Sequence, residues 1–95
     1  MSETPATLKL VALVVASEAA VAEVRGELEE LAGDDEVKSM GGGASVVHTV
    51  LTTAELRDRI QAKVGAGDSV IVVEFETWSG YGPGVDGVWL MRRGH

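Results

Sequence analysis

Few side chains in this sequence are equipped for chemistry, and their spacing limits what each can do. His48 lies between Val47 and Thr49, where an imidazole titrating near neutrality could serve as a general acid or base or ligate a metal. No second histidine or carboxylate stands beside it at ligand spacing, so a half-buried strand position hydrogen-bonded to a neighbour accounts for it more simply. Glu74 and Glu76 alternate along one strand face, as a carboxylate pair holding a divalent cation would. The same pattern marks a solvated face or a guarded strand edge, which is the reading preferred here. Asp34-Asp35-Glu36 reads as a solvated acidic turn, and His95 is terminal. Gly41-Gly42-Gly43 lacks the lysine and the following helix of a phosphate-binding loop, so a tight turn explains it. Arg57, Arg59 and Lys63, with Arg92 and Arg93, are the candidate basic surface, and ion pairs along a helix explain the first three without nucleic acid. No catalytic residue, metal site or cofactor is assigned.

The elements that must position these residues are easier to read. Thr52 and Glu55 have the spacing of a capping box; Leu56, Ile60 and Val64 follow on one face, and Gly65-Ala66-Gly67 offers a left-handed stop. Asp68 then turns the chain into the β-branched run Val70 to Glu76. Earlier in the chain, Leu10 to Val15 is apolar at every position, as in a central strand covered on both faces by helices and by a partner or the chain's own tail. Ser17 caps a helix with the stripe Val21, Val24, Leu28 and Leu31, ended by Gly33-Asp34-Asp35, and Gly26 weakens it. Val37 to Met40 and Ala44 to Leu51 make a hairpin around the glycine turn.

The order strand, helix, strand, strand, helix, strand predicts an α+β domain of ferredoxin-like βαββαβ type. Its four-stranded antiparallel sheet carries both helices on one face, with the first and third strands central. If Ile71, Val73 and Phe75 point to the helices, Val70, Val72, Glu74 and Glu76 point away and leave an apolar patch on the bare face. Residues 78–95 form a glycine and aromatic tail in which Trp78, Tyr81 and Trp89 are the anchors, while Met1–Thr7 is a loose lead-in. The interface candidates are Val70, Val72, Trp78, Tyr81, Trp89 and Leu90; His48, Glu74 and Glu76 remain as polar candidates.

At 95 residues the chain forms one domain, residues 1–95, with room for one modest core. The formal charge of -7 disfavours non-specific nucleic-acid binding, and no cysteine is present for a disulfide or thiolate site. Cytoplasm is the expected location. The run Leu8 to Ala16 is too short to cross a membrane and reads better as a buried strand than as a signal core.

From Val46 through Leu90 the chain resembles the SinR-like group of small proteins. The resemblance is carried by Thr53-Ala54-Glu55-Leu56-Arg57-Asp58-Arg59-Ile60, Gly67-Asp68-Ser69-Val70-Ile71-Val72-Val73-Glu74, Trp78-Ser79-Gly80-Tyr81-Gly82 and Trp89-Leu90. That group is similar to the CRISPR-associated second adaptation subunit, which implies a ferredoxin-like homodimer. The nuclease relatives carry a tyrosine-aspartate pair at the end of the first strand, whose paired aspartates hold a metal. Here that region is Val14-Val15-Ala16-Ser17, with no aspartate. The expected function is thus a non-catalytic homodimeric protein-interaction module, with glycine, alanine and valine usage hinting at a bacterial, phage or mobile-element source. The alternative is a degenerate or altered metal-dependent nuclease using His48 or the Glu74 and Glu76 pair.

Overall fold

The computed structural model describes residues 5–14 and 17–93. Part of the lead-in, Val15 and Ala16 of the expected first strand, and His95 lie outside the described residues. The elements follow in the order β1 (Thr7–Val14), α1 (Glu18–Ala32), a 3-10 turn (Asp34–Glu36), β2 (Val37–Gly41), β3 (Ala44–Thr49), α2 (Thr53–Gln61), β4 (Ser69–Phe75) and α3 (Gly87–Arg92). The four strands form one antiparallel sheet in the order β2-β3-β1-β4, so β1 and β3 are central. This α+β arrangement is compatible with a ferredoxin-like fold. Among the described residues, no helix is long and apolar enough to cross a membrane.

Local chemistry sets the helix starts. Ser17 accepts a hydrogen bond from the Ala20 amide at the start of α1. At α2, Thr52 Oγ1 accepts from the Glu55 amide (3.1 Å) while Glu55 Oε1 accepts from the Thr52 amide (2.9 Å), completing the capping box. The end of α2 differs from the expectation. The helix stops at Gln61 with Ala62 still in the right-handed region, and positive φ occurs at neither Gly65 nor Gly67. A bond from the Lys63 amide to the Ile60 carbonyl tightens the last turn, and Asp68 Oδ2 accepts from the Gly65 amide, so a polar side chain organises this loop. The hairpin turn is as expected, with Gly41 and Gly42 both at positive φ.

Two apolar layers lie on opposite sides of the sheet. On the helix side, Val24 and Leu28 of α1 and Leu56 and Ile60 of α2 pack with Val11 and Val47, and Leu13, Val37, Val70 and Val72 border them. On the reverse side, Leu8 and Val46 pack with Leu90 of α3, bordered by Leu10, Met40, Phe75, Trp78, Val85 and Trp89. Residues 77–93 therefore fold back over the face that the helices leave bare. The facing of β4 is the opposite of the expected one: Val70 and Val72 look toward the helices, and Phe75 packs on the reverse side. The register explains it, since Val72 pairs with Val11 and Val70 with Leu13, both helix-side residues, and a one-residue slip would turn every side chain over.

Two glycines in unlike surroundings give a test of this packing. A Cβ at Gly26, within α1, meets nothing, whereas a Cβ at Gly43 would lie 2.8 Å from the Leu13 carbonyl oxygen. Gly26→Ala is expected to stabilise the protein by about 0.5–1 kcal/mol and Gly43→Ala to destabilise it by about 1–3 kcal/mol, read by thermal or urea denaturation.

Candidate interaction surface and its polar supports

The tail covers part of the reverse face only. Beyond it, Val14 (53% exposed), Ile71 (56%) and Val73 (42%) stand in water, with Ala12 between them. Ala12 pairs with Ile71 and Leu10 with Val73, so these residues form one continuous apolar patch across β1 and β4. Beside it, a groove of about 270 Å³ runs between sheet and tail, walled by Leu10, Val73, Phe75, Trp78, Val85 and Leu90. β4 is an edge strand, and among the described residues no strand pairs with its outer side.

A polar clamp fastens the far end of the tail. His48 Nδ1 lies 2.8 Å from Glu36 Oε2, and Arg93 Nε donates to the same oxygen at 3.1 Å. Arg93 also donates to Glu36 Oε1, to the Trp89 carbonyl and to the Asp35 carbonyl, and its guanidinium lies 3.9 Å from the Trp89 ring centroid. The indole Nε1 donates to the Asp35 carbonyl at 2.9 Å. Burial pushes the Glu36 carboxyl up, but hydrogen bonds from His48 and Arg93 and the Arg93 charge outweigh it and hold the group below its ordinary value. With Glu36 ionised, His48 must carry its proton on Nδ1 in order to donate. At the near end of α3, Asp86 accepts from the Trp89 amide, which lowers its carboxyl, and pairs with Lys38 at 3.3 Å.

The other polar group lies on the helix side. Lys9 is only 2% exposed, and Nζ donates to Thr7 Oγ1 and to the Thr49 carbonyl (2.7 Å), with Glu74 Oε1 3.4 Å away. Thr7 Oγ1 in turn donates to Glu74 (2.7 Å), and this bond, then the one from Lys9, lowers the Glu74 carboxyl. His48 and Glu74 therefore project from opposite faces of the sheet, since His48 shares the parity of Val46 and Glu74 that of Val72. Glu76 follows the end of β4 and is exposed.

The sequence-based interface candidates separate accordingly. Leu90 and Trp89 seat the tail, Trp78 packs beside them, Tyr81 is fully exposed, and Val70 and Val72 belong to the helix-side core. Ile71 and Val73, which sequence reasoning aimed at the helices, form the exposed patch. The clamp partners Glu36 and Arg93 were missed as a pair because 57 positions separate them. Arg57 bonds the neighbouring Asp58, and Lys63 lies 3.9 Å from Glu27 of α1. Among the described residues, no group of three or more His, Asp or Glu is placed to hold a metal ion.

Two outcomes follow. Lys9→Ala removes a buried side chain with its bonds to Thr7 and the Thr49 carbonyl and opens a cavity, so stability should fall by about 3 kcal/mol in denaturant titrations, while Glu74→Gln at an exposed carboxylate should change it far less. The Glu36 carboxyl is lowered in the folded protein, so its contribution is present in full above its ordinary value of 4.5 and is lost as pH falls through the folded value. Tryptophan emission should therefore report release of the tail on acidification below that value. In Glu36→Gln the tail should be loosened already at neutral pH and the acid step should shrink. No protein-family model matches this chain, and neither does any curated protein or solved structure.

Proposed function

We propose that this chain is a non-catalytic, ferredoxin-like interaction module that works as a homodimer. The observation that carries this reading is the uncovered patch of Ala12, Val14, Ile71 and Val73 beside an unpaired sheet edge. Apolar surface gains about 25 cal/mol for each square ångström removed from water, and a patch that the chain's own tail stops short of covering favours a protein surface as its cover. The resemblance of Val46 through Leu90 to the SinR-like proteins, relatives of the CRISPR adaptation subunit, supports pairing of like chains; a cytoplasmic setting belongs to the same proposal, and the glycine, alanine and valine usage is what favours a bacterial, phage or mobile-element source. A further protein partner would bind the dimer.

The nuclease alternative has less geometry behind it. His48 is committed to Glu36 and Glu74 to Thr7 and Lys9, on opposite sides of the sheet, so neither joins the other at a common centre. Light scattering at micromolar concentration should return twice the 9.9 kDa chain mass, and a monomer mass throughout would contradict the reading. Labelled RNA and DNA should survive incubation with magnesium or manganese; turnover abolished by His48→Ala or Glu74→Gln would establish the enzyme instead.

A further inference from the structure

The geometry points to a specific mode of pairing, which rests on the homodimer reading: two copies join through their β4 edges, antiparallel across a two-fold axis at Val72, to make one eight-stranded sheet. The two edges of the sheet are treated very differently. β2 is five residues long, has an irregular register between Ser39 and Gly41, and carries Lys38. The tail also runs against it, where Gly84 packs on the Met40 carbonyl so closely that a Cβ would not fit. These are the features that keep a strand edge from recruiting another. β4 is seven residues long, without proline, lysine or register shift, four consecutive positions, Val70 to Val73, are β-branched, and its one charge, Glu74, is bonded to Thr7 and Lys9 of its own chain.

The sequence of β4 is also complementary to itself in one register. With Val72 on the axis all seven residues pair: Ile71 stands opposite the second copy's Val73 twice over, Val70 opposite Glu74, and Ser69 opposite Phe75. Directly opposed residues share a face, so the Ile71 and Val73 side chains of both copies meet on the reverse side and the two exposed patches become one. The single acid of the strand, Glu74, faces valine and stays bonded to Lys9 and Thr7 of its own chain. Moving the axis to Glu74 would set two carboxylates against each other and shorten the pairing, and like charges directly opposite are destabilising. Two-fold symmetry requires a patch that fits itself, and this one does. The seven-residue ladder is about 23 Å long, small beside the roughly 1,600 Å² that standard interfaces bury, so the dimer should dissociate on dilution.

The absence of native cysteine makes the test direct. Single variants Ile71→Cys and Val73→Cys, mixed and oxidised, should cross-link to each other far faster than either does alone. Within one chain these two positions lie too far apart for a disulfide. Ile71→Lys, at a side chain already exposed in the single chain, should raise the dimer dissociation constant by about tenfold or more with an unchanged circular dichroism spectrum. A wild-type dimer that survives Ile71→Lys unchanged and gives no selective 71-to-73 link would overturn the edge pairing and leave the homodimer reading standing. A wild-type chain that remains monomeric would overturn both.

Discussion

From Leu10 onward strand β1 is apolar on both sides, and that constraint shapes the rest of the molecule. A central strand with Val11 and Leu13 on one face and Leu8, Leu10 and Ala12 on the other cannot be served by a single layer of helices. The two amphipathic helices satisfy the first face. The second is covered by a folded tail as far as Leu8 and Leu10, and beyond Ala12 it is left to water or to another chain. The gradient along this one strand, from enclosed at Leu8 to open at Val14, runs in the same direction as the transition from tail-covered core to candidate interface.

The tail could not hold itself in place by helix formation. α3 has six residues, far below the length at which an isolated helix is stable in water, so its conformation is imposed by what it touches. Leu90 packs with Leu8 and Val46, Asp86 caps the start, and Arg93 closes the end against Glu36. His48 belongs to this arrangement as a support for Glu36. Its position next to the end of β3, which invites a catalytic reading, is instead one in which a ring nitrogen reaches the acidic turn that follows α1. The turn Asp34–Glu36 thus links α1, β3 and the tail through its own carbonyl and carboxylate groups.

Much of the architecture was legible where local chemistry decides the conformation. The Thr52 and Glu55 capping box, the Ser17 cap and the glycine turn between β2 and β3 each act over a few residues, and the strand and helix order followed from them. The facing of β4 was not legible, because Val70 to Val73 are apolar at both parities and a continuous run carries no alternation to read. Only pairing with β1 fixes it. The role of Lys9 was not legible either: it lies buried, bonded to Thr7, to the Thr49 carbonyl and to Glu74, partners spread over three strands that only the folded sheet brings together. The stop of α2 was misplaced for a related reason: Asp68, reaching back to the Gly65 amide, shapes the loop that glycine alone was expected to make.

The central claim is that the reverse face of the sheet is shared between the chain's own tail and a second copy of the protein. A methyl nuclear Overhauser spectrum on a mixture of differently labelled full-length chains tests both halves together. Contacts from Leu90 to Leu8 and Val46 should appear within one chain, and contacts from Ile71 to Val73 should appear between chains. Tail contacts found only between chains, or Ile71 and Val73 methyls that touch no second chain at concentrations where a dimer is present, would contradict the account.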